Sequence, residues 1–353
     1  MAKVKLQNVA VRGVVCAVPG EPIDVATLGT NFTPAEVERI TKTVGLKQVH
    51  RVKPGQTAGD LSIAAAKKLL EELKWEPGSI GGVIMVTQTP DHFLPATACI
   101  AHQQLGLSDG ALAFDVGMGC SGYVYGLLLG AQQVATGASK RFLLLAGDTV
   151  SQILSSQDQS TALLFGDAGS ATALEFDPEA GPISFVLGTD GTGSSSLGLP
   201  AGAFRQRTTA EASVRTRDEA GNLRAPTELF MDGLAVFNFT LKRVPPLVND
   251  VLALHEWKAD GVDAFLLHQA NGFMLDKLGK KLALPKERVP VNIDRFGNTS
   301  VASIPLLLAD LLSERVRSAQ PQKLVLAGFG VGLSWAGAAL TLRQLGAAQV
   351  VRV

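Results

Sequence analysis

The chain has 353 residues, with 32 Lys and Arg balancing 32 Asp and Glu, 46% apolar residues and only 18% charged ones. That length can bury a large core and leaves room for about two domains. The low charge excludes a disordered chain, and the balance of signs excludes a global attraction to nucleic acid or an anionic membrane. Three cysteines (Cys16, Cys99, Cys120) are too few and too scattered for a disulfide framework or a closed zinc site, so no metal site is expected. No uncharged apolar run reaches the ~18 residues of a membrane helix. The first residues alternate like a strand and lack the apolar stretch and small-residue cleavage site of a leader, which predicts a cytoplasmic protein.

Along the chain, short apolar runs alternate with helical patterns. Val83–Val86 reads as a buried strand, 95–105 as a helix, Leu112–Val116 as a strand, 121–135 as a helix and 142–146 as a strand. Continuous apolar strands between helices imply an α/β sheet covered on both faces. The helix at 121–135 carries no charged residue, which predicts burial on all sides. The second half repeats the script. Strands are predicted at 262–267, 289–293 and 324–327, and helices at 272–282 and 304–312. Ala146-Gly147 recurs as Ala327-Gly328, Thr87 as His268 and Cys120 as Asn298, all at nearly the same offset. A duplicated α/β unit explains these repeats, with residues 1–175 as one half, 176–227 as a variable connection and 228–353 as the other half. In such sheets ligands gather beyond the carboxyl ends of strands. Within the connection, 197–226 is rich in Gly, Ser, Thr and Arg and reads as a solvated loop, with a hairpin turn at Ala220-Gly221-Asn222.

Three residues at strand ends could carry chemistry. Cys120 lies in DVGMGCSGYVYG, after a strand and a Gly-rich turn and just before the uncharged helix. A helix N-terminus favours a thiolate. Taken alone, Cys120 fits either a nucleophile or a small core residue. His268 in FLLHQAN and Asn298 in RFGNTSVAS would each pass singly as a structural histidine and a helix cap. Together they place a nucleophile beside polar groups able to stabilise an oxyanion or move a proton. The turn Gly330-Val331-Gly332 could supply backbone N–H donors to an oxyanion. Cys16 and Cys99 read as packed, and His50, His102 and His255 as surface or turn residues.

At this point the sequence resembles the thiolase superfamily, and within it the beta-ketoacyl-[acyl carrier protein] synthase III family. The Cys120 loop, FGDAGSATAL at 165–174, HQAN at 268–271, GNTSVAS at 297–303 and GFGVGLSWAGAAL at 328–340 carry the resemblance, in the family's order. It implies a thiolase-like fold of two similar α/β halves in five layers and a homodimer. It also implies a decarboxylative Claisen condensation: an acyl thioester, on coenzyme A or on acyl carrier protein, acylates Cys120. Malonyl-acyl carrier protein is then decarboxylated with the help of His268 and Asn298, and no metal or redox cofactor takes part. Acyl carrier protein would be the partner, with Lys277, Lys280 and Lys281 as a docking patch.

Several positions depart from the family pattern. Arg39 stands where a Trp is usual and Thr43 where an Arg is, leaving Arg39 and Lys42 as the candidate phosphate contacts. Gln159 replaces another Arg, Leu234 an Asn near the pantetheine, and Phe273 a basic residue after HQAN. Leu94, with Phe93 beside it, takes the place of a residue, often Phe, that gates the partner's acyl tunnel. This implies room for acyl chains longer than acetyl and excludes a catalytic carboxylate there. Two other readings share the residues: acyl transfer from Cys120 to a hydroxyl or amine without decarboxylation, and a quiet binding subunit. The second fits poorly with an intact Cys–His–Asn set, and the placement at duplicated strand ends does not suit a papain-like hydrolase.

Overall fold

Apolar runs with no polar alternation become strands buried on both faces; Gly82–Val86 and Ala264–Leu267 have no exposed residue. The computed structural model describes residues 1–353. In chain order its main elements are β1 (Ala2–Leu6), β2 (Val9–Val18), α1 (Pro34–Val44), α2 (Ala58–Leu73), β3 (Gly82–Val86), α3 (Thr97–Gln104), β4 (Leu112–Val116), α4 (Gly122–Ala135), β5 (Arg141–Asp148), β6 (Ala168–Phe176) and β7 (Ile183–Thr189). Then follow α5 (Gly233–His255), β8 (Ala264–Leu267), α6 (Gly272–Lys281), α7 (Ser303–Leu311), β9 (Gln322–Gly330), β10 (Ser334–Leu342) and β11 (Ala347–Arg352). No helix is long and apolar enough to cross a membrane.

The strands form a six-stranded sheet, ordered β11-β2-β6-β5-β3-β4, and a five-stranded sheet, ordered β1-β7-β10-β9-β8. The duplication is visible strand for strand. In the first sheet β3 runs parallel to β5, then β6 and β2 follow antiparallel. In the second, β8 runs parallel to β9, then β10 and β7 follow antiparallel. Even the register repeats: Val86 pairs with Ala146 as Leu267 pairs with Ala327. Thr87 and His268 therefore leave equivalent strands at equivalent points.

Two features depart from the sequence reading. The strand predicted at 289–293 does not form; a 3₁₀ turn at Lys286–Arg288 leads irregularly into a short helix at Ile293–Phe296, and β8 stays an edge. Pro290 has no N–H for a ladder, and the Asn292 N–H donates to the Gln269 side chain instead. The halves also exchange strands. β1 and β7 build the second sheet, whereas the C-terminal β11 pairs with β2 in the first, so the sheets are not separated by a cut after residue 175 or before 228.

Helices complete five layers. α2 and α3 cover the outer face of the first sheet, and α5, with α6 packed on it, covers the second. Between the sheets lie α4 and α7. α4 contacts β3, β5 and β6 on one side and β1, β9 and β10 on the other, which explains its lack of charge. The connection is less bland than expected. Its hairpin pairs Thr216–Arg217 with Leu223–Arg224, around the predicted turn. Leu197–Gly198 pairs with Phe230–Met231 and turns inward.

The outer layers press tightly on the sheets. A Cβ on Gly169 of β6 would lie 2.6 Å from the Leu61 carbonyl carbon of α2, against backbone that cannot rotate away. Gly169→Ala is therefore expected to lower stability by about 1–3 kcal/mol, the usual cost of overpacking a filled core. A urea unfolding midpoint measures this; an unchanged midpoint would mean that α2 yields freely.

Candidate active site

Cys120, His268 and Asn298, which lie far apart in sequence, line one cavity of about 210 Å³. Cys120 ends the Gly-rich turn after β4, and α4 begins two residues later. The end of β9 lies directly on it. A Cβ on Gly330 would sit 2.7 Å from the Cys120 Cβ and 2.8 Å from its sulfur, and one on Gly328 would sit 2.8 Å from the Cys120 carbonyl oxygen. Only glycine permits this approach. The backbone of Val331 and of Cys120 itself lies near the sulfur and partly offsets the effect of burial on it. Of the turn predicted to supply N–H donors, Gly330 and Val331 line the cavity, and Gly332 lies just beyond it against Ser334.

His268 leaves β8 and is fixed at its backbone by a 2.8 Å bond from its N–H to the Ala327 carbonyl. Its Nδ1 meets the Ser303 hydroxyl at 2.7 Å, and its ring meets Phe329 edge-on, which leaves Nε2 for the cavity. The rest of HQAN is scaffold. Gln269 binds the Leu267 carbonyl and the Asn292 N–H, and Asn271 caps α6 through Met274 N–H. Asn298 is clamped by Leu164 and the FGDAGSA segment that follows it: its N–H donates to the Leu164 carbonyl, and its carbonyl accepts from Gly166 N–H. Its Oδ1 accepts from Ser300 N–H at 2.9 Å, so the amide nitrogen is the free end. Asp167 in the same segment holds Ser151 and Val52.

Burial governs the electrostatics. It pushes the Cys120 thiol up to about 11, with the nearby Asp148 carboxylate acting in the same direction. The helix-end argument expected a favoured thiolate; here desolvation outweighs the helix and the thiol rests protonated. Burial pushes His268 down to about 3, so its imidazole is neutral across the physiological range.

Other predicted positions fall outside this cavity. Phe93 and Leu94 are 69% and 87% exposed, and Phe93 leans on Phe204 at 6.1 Å. Lys277 lies over the Phe273 ring, Lys280 pairs with Asp276 at 2.7 Å, and Lys281 donates to the Leu241 carbonyl. Arg39 donates to Gln159 and Lys42 pairs with Glu38. Cys99 is exposed on the short α3, not packed. His50 and His255 are buried, not on surfaces, because the Pro19 carbonyl and the Ser184 hydroxyl satisfy their Nδ1 atoms.

Sequence reasoning missed four neighbours of the thiol. Leu197 and Leu199, read as part of a solvated loop, form an apolar wall of the cavity; Asp148 and Ser300 also line it. The repeat held a signal for Asp148. It follows Ala146-Gly147 as Phe329 follows Ala327-Gly328, at a strand end where ligands gather.

A buried Cys–His–Asn set between two matched sheets is the arrangement of a thiolase-fold enzyme. The model for 3-oxoacyl-[acyl-carrier-protein (ACP)] synthase III matches residues 114–191, and the model for the C-terminal part of 3-oxoacyl-[acyl-carrier-protein (ACP)] synthase III matches residues 252–342. The chain is 36% identical to the beta-ketoacyl-[acyl-carrier-protein] synthase III of Alkalilimnicola ehrlichii, over 85% of this chain and 89% of that one. It is 36% identical to that of Nitratidesulfovibrio vulgaris, over 94% and 98%. A solved 3-oxoacyl-(acyl-carrier protein) synthase from Burkholderia xenovorans superposes with a TM-score of 0.94 at 42% identity, covering 100% of this chain and 99% of that one. The chain belongs to the 3-oxoacyl-[acyl-carrier-protein] synthase III family.

The neutral imidazole has a measurable consequence. Unfolded, His268 titrates near its ordinary value of about 6.5; folded, it resists protonation to about 3. The unfolded chain therefore binds a proton that the folded chain refuses, and stability falls as pH drops below about 6.5. At pH 5 this one residue should cost about 2 kcal/mol. Unfolding curves of His268→Gln between pH 7 and pH 5 should lose that much less stability than the parent; parallel losses would show a histidine that titrates normally.

Proposed function

We propose that the chain is a condensing acyltransferase that joins an acyl group held on Cys120 to a malonyl unit carried by acyl carrier protein. The observation that carries this reading is the convergence of one thiol and two neutral hydrogen-bonding side chains on a single cavity. The names of the family's members support it. An acyl thioester first transfers its acyl group to the Cys120 sulfur, its carbonyl oxygen facing the N–H groups of Cys120 and Val331. The malonyl thioester then loses carbon dioxide, and the electron pair left behind moves onto the thioester oxygen. His268 Nε2 and the Asn298 amide nitrogen are the donors for that oxygen, with the Ser303 hydroxyl donating to Nδ1 and so keeping the proton on Nε2. Among buried groups such donors act strongly on developing charge. The enolate carbon attacks the acyl carbonyl, the C–S bond to Cys120 breaks, and a 3-oxoacyl thioester leaves. The reaction needs no metal or redox cofactor.

The finer parts of the reading belong to the same proposal. The exposed Phe93 and Leu94 suit cover by a second copy of the chain, in which Leu94 would bound the partner's acyl tunnel and admit chains longer than acetyl. Lys277, Lys280 and Lys281 on α6 are the proposed docking patch for acyl carrier protein. Arg39 and Lys42 are the proposed phosphate contacts, each exchanging its present partner for the ligand. The protein would work in the cytoplasm.

Intact mass after exposure to acyl-coenzyme A and acyl-carrier-protein thioesters tests the loading step. An acyl adduct is expected in the parent and not in Cys120→Ala; no adduct with any donor would indicate a binding subunit. His268→Ala and Asn298→Ala should still accept the acyl group, while carbon dioxide release from malonyl carrier protein falls by about 10²–10³-fold in each. Unchanged release in both would remove them from the reaction.

A further inference from the structure

Loading leaves one proton without a destination. The Cys120 thiol is buried and protonated at rest, and His268 is too weak a base to hold its proton at neutral pH. A third titratable group lines the same cavity. Asp148, at the end of β5, is fully buried. Its Oδ1 accepts from the Gln88 N–H at 2.8 Å, the Thr87 hydroxyl at 3.0 Å and the Thr89 hydroxyl at 3.2 Å. Its Oδ2 has no close hydrogen-bond partner, which for a buried carboxylate oxygen is rare and costly. Ser300 lines the cavity beside the carboxyl, and the carboxyl's titratable neighbour is Cys120.

The 3₁₀ turn Ser300–Ala302 packs on β5, the strand that ends in Asp148, and Ser300 lines the cavity together with Asp148 and Cys120. The Ser300 backbone has φ +49°, in the left-handed region that side chains other than glycine seldom occupy, and it is held there by the Asn298 side chain. The three hydrogen bonds on Oδ1 fix the carboxyl and leave Oδ2 as the oxygen free to take a proton.

We propose that Asp148 receives the Cys120 proton through the Ser300 hydroxyl when the thiol attacks. The S–H bond breaks as its proton passes to the Ser300 oxygen, whose own proton passes to Asp148 Oδ2. The sulfur electron pair forms the new S–C bond to the acyl carbon. When the donor's C–S bond breaks, the departing thiolate takes the proton back along the same hydroxyl, and Asp148 ends ionised. A single negative charge thus moves among carboxylate, sulfur and leaving group without entering bulk water. Asp148 acts through Ser300 and is a positioning residue for the thiol. Burial, which raises its carboxyl pKa, suits it to accept a proton at neutral pH.

The proposal rests on Cys120 being the nucleophile of the reaction above, and its test needs no acyl donor. Alkylation by iodoacetamide, followed on the Cys120 peptide so that the exposed Cys99 is counted apart, reports thiol deprotonation directly. With the relay intact the rate should be nearly flat from pH 6.5 to 8.5, because the proton acceptor is internal. Asp148→Asn keeps the Oδ1 acceptor and removes the base; Ser300→Ala removes the bridge. In each the rate should rise about tenfold per pH unit, as for a plain thiol, and at pH 7 lie at least about tenfold below the parent. A faster rate in Asp148→Asn at pH 7 would overturn the proposal, since the carboxylate would then only repel the thiolate. So would an unchanged rate, or a slower one with the parent's flat profile. If Asp148→Asn does not fold, Ser300→Ala decides by the same criteria. A relay that operates on Cys120 while no thioester acylates it would leave this proposal standing and remove the condensing one.

Discussion

The end of one strand lies against Cys120 of the other half at a distance only glycine allows. Gly328 and Gly330 of β9 meet Cys120 and Ser121 with no room for a Cβ, and the Ser121 and Ser334 hydroxyls close the contact at 2.7 Å. Everything at the site depends on that contact. It sets the Cys120 sulfur close to the Val331 backbone, and it draws the strand ends that carry Asp148 and His268, and the turn that carries Asn298, toward one cavity. Duplication made it available. Two sheets of the same topology, stacked on the shared layer of α4 and α7, bring their carboxyl strand ends together at the middle of the molecule.

Burial sets the electrostatics. For buried groups a charge is costly, so the thiol keeps its proton and the imidazole loses its own. Neutral donors are well suited to a reaction whose charge appears on a thioester oxygen and then leaves it. A histidinium would bind the malonyl carboxylate in the ground state, favouring the very charge that must depart. The site is therefore built to receive transient charge, with none of its own placed at the reacting oxygen.

Much of this was legible in the residues. Continuous apolar runs gave the parallel core strands, the uncharged 121–135 stretch gave the central helix, and the recurrence of Ala-Gly at two strand ends gave the duplication. Cys120 and His268 gained meaning by sharing that placement, and Asn298 joins them although a short helix, not a strand, precedes it. What escaped detection depends on long-range pairing. Nothing local in Ala2–Leu6 or Ala347–Arg352 says that each joins the sheet of the other half. The pattern at 289–293 is apolar enough for a strand, and Pro290 together with the claim of Gln269 on Asn292 decides against it. Leu197 and Leu199 looked like loop residues because their partners, at 230–231, lie beyond an Arg-rich excursion. Asp148 looked like an ordinary polar strand end, since burial of a carboxylate leaves no mark in a single sequence.

The central claim is that this one cavity makes a carbon–carbon bond at the expense of a carboxylate. A single turnover tests it most directly: enzyme already acylated on Cys120 is mixed with malonyl carrier protein bearing 13C in its free carboxylate. The account expects one labelled carbon dioxide for each 3-oxoacyl product and no label in that product. Acyl transfer to a hydroxyl or amine with the label still in the malonyl group would contradict it.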